Sequence, residues 1–236
     1  MWLLIAVIWP FLQIMTKRDR RGKENLPKSG GFVIAVNHLS YVDPFTLSHW
    51  EVDNGICPRL LVKDTLFTLP VGGRMLKMIR QIPVHRGTKD AAKALEAAIE
   101  AVRDGGIITI YPEGTMTRDP AAWPMSGRSG AVRIAHRAGV PLIPVAQWGP
   151  QDILWPYRKG FHWFPRKTMS INVGEAIDLS DLGDNPTEAQ YAAATDRLMD
   201  RITELQAEIR GESPTTPRID VHTLKKPKTN HESQED

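Results

Sequence analysis

A histidine and an aspartate five residues apart, His38 and Asp43, follow directly on an apolar run in the block Asn37-His38-Leu39-Ser40-Tyr41-Val42-Asp43. A carboxylate that receives one imidazole N–H fixes the tautomer whose other nitrogen takes up a proton. Such a pair suits general-base work on a hydroxyl. The spacing alone does not single it out, because His85/Asp90 and His231/Asp236 repeat it. On a straight helix, residues five apart point about 140° away from each other. His38 and Asp43 therefore meet only if the chain turns from strand into helix between them. The residues fit that turn: Gly31 to Val36 reads as a buried strand, and Asp43 before Pro44 suits a helix start. Asp90 falls instead in the first turn of a helix, where the macrodipole accounts for a carboxylate. His231/Asp236 closes a polar tail. Ser40 lies in Leu-Ser-Tyr, without a Gly-x-Ser-x-Gly elbow, so it reads as a helix cap and not as a nucleophile.

Two further blocks stand in similar places. Tyr111-Pro112-Glu113-Gly114-Thr115 follows the apolar run from Ile107. The carboxyl end of a strand is where α/β folds place ligands, and a glycine there lets the backbone come close to one. Taken singly, Glu113 reads as well as a loop carboxylate paired with an arginine. Val140-Pro141-Leu142-Ile143-Pro144-Val145 is apolar and reads as a strand with its lead-in turn.

The elements that must position these residues follow from hydrophobic patterning. Strands are expected at 31–36, 60–62, 107–111, 142–148 and 169–173. Their apolar runs are continuous, as in strands buried on both faces. Helices are expected from Thr88 to about Arg103, from Gly130 to Ala138 with Gly139 closing it, and from Thr187 to Arg210. Alternating strands and helices imply an α/β fold with a central, mostly parallel sheet flanked by helices.

The 236 residues, 42% hydrophobic and 24% charged, suit one domain with a sizeable core. One cysteine, Cys57, excludes an intrachain disulfide. A net charge of +3, with no basic helix interleaved with aromatics, does not call for nucleic acid. Met1 to Met15 is almost wholly apolar, and Lys17, Arg18, Arg20, Arg21 and Lys23 follow it. A secretory signal has the reverse order. A helix of this length reaches about 22 Å, short of a ~30 Å hydrocarbon core, and Pro10 interrupts it. Residues 1–22 are therefore expected to form a segment that lies in the membrane interface, its basic residues against anionic headgroups. Residues 23–211 form the domain. Residues 212–236, rich in Pro, Thr, Lys and Glu, are expected to be a disordered tail.

The Asn-His-x-Ser-x-x-Asp, Tyr-Pro-Glu-Gly-Thr and Val-Pro-Leu-Ile-Pro-Val blocks, in that order, resemble the acyltransferases of glycerolipid synthesis, the 1-acylglycerol-3-phosphate acyltransferases and their relatives. The stretches Val62 to Leu66 and Ile82 to Arg86 resemble the same family. The resemblance runs from about Gly31 to Val145. It implies that His38 is the general base, taking the proton from a lipid hydroxyl that attacks an acyl thioester, and that Asp43 orients it. It gives Arg86 to the acceptor's phosphate, which a guanidinium suits, and Glu113, Gly114 and Thr115 to substrate binding. The family commonly has arginine after Glu-Gly-Thr, where this chain has Met116 and then Arg118 two positions on. A lysine of the family before Gly-Ala corresponds to Arg128. The Val140 to Val145 block would wall the acyl chain or be a plain core strand. The implied partners are a lysophospholipid acceptor, an acyl-CoA or acyl-carrier-protein donor and a membrane surface. The donor is a co-substrate, and no metal or other cofactor is implied. The expected place is the cytoplasmic face of the cell membrane, the expected acceptor lysophosphatidate. Glycerol 3-phosphate or a glycosylated phospholipid as acceptor, a thioesterase, and a non-catalytic lipid-binding relative are the alternatives.

Overall fold

Every residue of Phe32–Val36 is buried, which a strand achieves only at the centre of a sheet covered on both faces. In the computed structural model, which describes residues 10, 13–78, 81–84, 90–157 and 160–224, this strand, β2, occupies that centre. Seven strands are described: β1 (Thr16–Arg21), β2, β3 (Pro58–Lys63), β4 (Ile82–Val84), β5 (Ile107–Ile110), β6 (Leu142–Trp148) and β7 (Lys167–Val173). They lie in the order β1-β7-β6-β2-β5-β3-β4. All neighbours are parallel except β6 and β7. Among the described residues the helices with given bounds are α1 (Asp43–Asp53), α2 (Gly72–Met78), α3 (Asp90–Arg103), α4 (Gly130–Ala138), α5 (Pro150–Ile153) and α6 (Glu188–Arg210).

Successive side chains of a strand point to opposite faces. Val33 and Ala35 join Ile108 and Leu142 in a core shared with α3, α4 and α6, through Ala98, Val102, Ala131, Ile134, Leu198 and Ile202. Phe32, Ile34 and Val36 pack on the other face with Leu47 and Trp50 of α1. The chain thus leaves β2 for one face of the sheet and leaves β5 for the other. The carboxyl ends of these two adjacent strands part, which is the crevice where α/β sheets bind ligands.

The expected ends of α4 and α6 are observed, while the start of α3 at Thr88 lies outside the described residues. Thr187 and Gln190 form a capping box at the start of α6, and Gly139 and Gly211 close α4 and α6 in the left-handed region. Three regions differ from expectation. The basic stretch at residues 16–21 is strand β1, paired in parallel with β7. Arg20 bonds Asp53 at 2.6 Å, and Arg21 bonds Asp19. The sheet therefore takes in residues on the amino side of position 23. The segment 212–224 is also ordered: Val221 is 3% exposed and Arg218 pairs with Asp200. Its polar composition hid a few well-placed anchors. Ser40 is not a cap of α1; its hydroxyl donates to Leu154 O at 2.7 Å and accepts from the Val42 amide at 3.1 Å. The apolar run Met1–Met15, apart from Pro10 and residues 13–15, lies outside the described residues, as does His231/Asp236.

Candidate active site

The turn from β2 into α1 is built by hydrogen bonds that substitute for strand pairing. Asn37 is buried, and its carboxamide accepts from the Gln147 amide at 2.8 Å and donates to Gln147 O at 3.1 Å. Gln147 Nε2 returns a bond to Asn37 O at 2.8 Å. The chain is thereby held to β6 one residue beyond the ladder, and His38 emerges from it.

His38 Nδ1 lies 2.8 Å from Asp43 Oδ2. The same oxygen accepts the amides of Leu39 at 2.5 Å and Ser40 at 3.0 Å. An oxygen that receives two amide hydrogens is an acceptor, so Nδ1 carries the imidazole proton and Nε2 keeps its lone pair. Asp43 is fully buried. Burial pushes its pKa up, while His38 and the two amides oppose that rise. The His38 side chain is 19% exposed, enough for a substrate to reach Nε2. Tyr111 stacks on the ring, centroids 4.2 Å apart and planes 25° apart.

The register of β2 and β5, carried past their ends, sets His38 beside Glu113. Glu113 is buried. Its Oε1 accepts the His38 amide at 2.8 Å and its Oε2 accepts the Met125 amide at 3.1 Å. Both oxygens are thus turned to backbone, as a brace between the β2 and β5 loops. Burial pushes its pKa up to about 8. A second brace comes from the Thr117 amide, which donates to His38 O at 2.8 Å.

Gly114 has φ +69, and a Cβ there would sit 3.2 Å from Arg128 Nε. Glycine suits the left-handed turn, and its missing side chain lets the arginine stem pass close by. The Arg128 amide donates to Pro112 O at 2.8 Å, which fixes its backbone beside the Glu-Gly-Thr turn, and its side chain is exposed. Thr115 Oγ1 lies 3.2 Å from the Tyr157 hydroxyl, which donates to Met116 O. Met116 points into the core, 5% exposed, so it takes no place on the ligand-facing side. The Arg118 amide lies against Met125 Sδ. The structure thus gathers His38, Asp43, Glu113, Gly114, Thr115 and Arg128 at the ends of β2 and β5, with Arg118 further along the same loop. Arg86 lies outside the described residues.

Several supporting residues were not singled out by sequence. Asn37 and Tyr111 stood inside the motif blocks without a role, and Gln147 was a polar residue in an apolar strand. The pair Glu51 and Thr109, joined at 2.6 Å beneath α1, is a second such case. Arg210 anchors the β5–α4 loop from α6. Its guanidinium lies 3.8 Å from the Trp123 ring centroid and 4.3 Å from that of Trp148, and it donates to Ala121 O.

Comparison with known proteins gives the chain a family and a fold. Residues 17–148 match the family model described as Acyltransferase. The chain is 34% identical over 187 residues to the 1-acyl-sn-glycerol-3-phosphate acyltransferase of Bacillus subtilis, covering 78% of this chain and 85% of that one. It is 26% identical to the protein of that name from Borreliella burgdorferi, covering 77% and 70%. It is 31% identical to a chloroplastic relative from Brassica napus, covering 64% of this chain and spanning 43% of that protein. The crystal structure of the 1-acyl-sn-glycerophosphate acyltransferase PlsC from Thermotoga maritima superposes with a TM-score of 0.63 at 22% identity, covering 86% of this chain and 80% of that one, and so has the same fold. With over half its length matched, from β1 through the His38 and Glu113 loops to the end of β6, this chain belongs to the acyltransferase family.

Proposed function

We propose that the chain transfers a fatty acyl group from a coenzyme A or acyl-carrier-protein thioester to the free hydroxyl of lysophosphatidate, forming phosphatidate. The observation that carries this reading is the His38–Asp43 bond of 2.8 Å, which leaves Nε2 as a base at the parted ends of β2 and β5. His38 Nε2 takes the hydroxyl proton as the oxygen attacks the thioester carbon. The C–S bond then breaks, and the leaving thiolate takes the proton from the imidazolium, so base and acid are the same group. No covalent enzyme intermediate and no metal enter this scheme. Arg128, held beside Gly114, and Arg118 are assigned to the acceptor's phosphate, together with Arg86.

The acceptor and product are membrane lipids, and the reading places the protein on the cytoplasmic face of a bilayer. Tyr41 and Phe45 are exposed shortly after His38 in the sequence, and Phe161 and Phe164 are exposed shortly after α5. Exposed large apolar side chains suit a lipid surface. Among the described residues no helix is long and apolar enough to cross a membrane.

The test is thiol release by the purified protein from a long-chain acyl-CoA across lysophosphatidate, glycerol 3-phosphate and a glycosylated phospholipid. Release matched by phosphatidate formation with lysophosphatidate alone is expected. Equal release without acceptor, with free fatty acid as product, would mark a thioesterase. No release with any acceptor would mark a lipid-binding protein.

A further inference from the structure

We infer that Arg218–Val221 is a positioning strap for the loop that carries Arg128, setting how tightly the phosphorylated acceptor is held without entering the acyl-transfer step. This rests on the assignment of Arg128 to the acceptor's phosphate. The chain leaves α6 at Gly211 and returns across the 122–128 loop. There the Ser126 amide donates to Ile219 O at 2.9 Å, the Val221 amide donates to Ser126 Oγ at 2.9 Å, and Ser126 Oγ bonds Asp220 Oδ1 at 3.0 Å. The Val221 side chain is buried, and Arg218 fastens the strap to α6 through Asp200 at 2.6 Å. From the opposite side, the flanking amides of Met125 and Arg128 are bound to Glu113 and to Pro112 O. Gly127 between them has no room for a side chain against Met199 and Thr195. Residues 125–128 are therefore clamped between the catalytic loop and the strap, and the strap meets the loop two residues before Arg128. An exposed arginine on a rigid backbone loses less freedom when it binds an anion than one on a mobile loop.

The test uses the full chain with Val221→Asp, which expels the strap, and Ser126→Ala, which removes two of its hydrogen bonds and keeps the core intact. Initial rates are measured against lysophosphatidate at saturating acyl-CoA and the reverse. In both variants the acceptor KM is expected to rise about three- to tenfold, with kcat and donor KM within about twofold of wild type. Amide hydrogen exchange at 122–128 is expected to quicken, while that of β2 and β5 is unchanged. An unchanged acceptor KM overturns the strap. So does a joint loss of kcat, both KM values and melting temperature, which would make the segment a general stabiliser. The exchange measurement needs no substrate. If lysophosphatidate proves the wrong acceptor, unchanged exchange in the loop still overturns the strap and selective quickening still supports it.

Discussion

Three bonds converge on one oxygen, Asp43 Oδ2, from His38 Nδ1 and the amides of Leu39 and Ser40. In Asp43→Asn a carboxamide oxygen takes that place with all three bonds kept, so the tautomer survives and only the charge is lost. Steady-state kinetics should then show kcat lower by about ten- to a hundredfold, less than a missing base at ~10²–10⁴. A second residue-scale prediction concerns Glu51, fully buried with its pKa pushed up to about 7 by burial against an ordinary 4.5. Between pH 4.5 and 7 the folded protein keeps a proton that the unfolded chain has released, so stability falls as pH rises through that window. Denaturant unfolding at several pH values should show the wild type losing about 3 kcal/mol relative to Glu51→Gln, levelling off above pH 7. A constant gap between the two would contradict the buried neutral acid. The His38–Asp43 pair was legible in the sequence because a strand, a turn and an Asp-Pro helix start bracket it. The brace made by Glu113 was not, because its second partner, Met125, lies in an irregular loop whose path no local pattern encodes.

The buried strands and capped helices were legible because each carries its own signal: continuous apolar runs in β2, β5 and β6, and Thr187, Gly139 and Gly211 at helix ends. β1 carries none. Thr-Lys-Arg-Asp-Arg-Arg has no apolar alternation, and its place is set by main-chain pairing to β7. Charged side chains on such an edge also discourage further strands from adding to it. The antiparallel turn of β7 was equally silent, since burial on both faces looks alike in either direction. Gly22, at the end of β1, gives an element-scale test. It has φ +73, and a Cβ there would sit 2.0 Å from Val173 O. Gly30 has φ +82 with nothing near. Gly22→Ala should therefore cost more than Gly30→Ala, whose backbone strain alone is about 1–2 kcal/mol. Equal melting temperatures for the two would show that β1 does not hold its place on β7.

The whole molecule sets a sheet crevice beside a surface that bears exposed aromatics, with an apolar run leading into β1. Because β1 begins at Thr16, removing residues 1–15 leaves every described strand intact. We predict that the truncated protein sediments with anionic vesicles far less than the full chain while its melting temperature is kept. Undiminished vesicle binding would assign membrane contact to the exposed aromatics alone. The central claim is that a base fixed by Asp43 moves an acyl group onto a lipid hydroxyl. The most direct measurement compares phosphatidate formation from acyl-CoA and lysophosphatidate by wild type and by folded His38→Ala. The account predicts formation by the wild type and a fall of ~10²–10⁴ in kcat for the variant with little change in either KM. A variant that forms phosphatidate at the wild-type rate would contradict it.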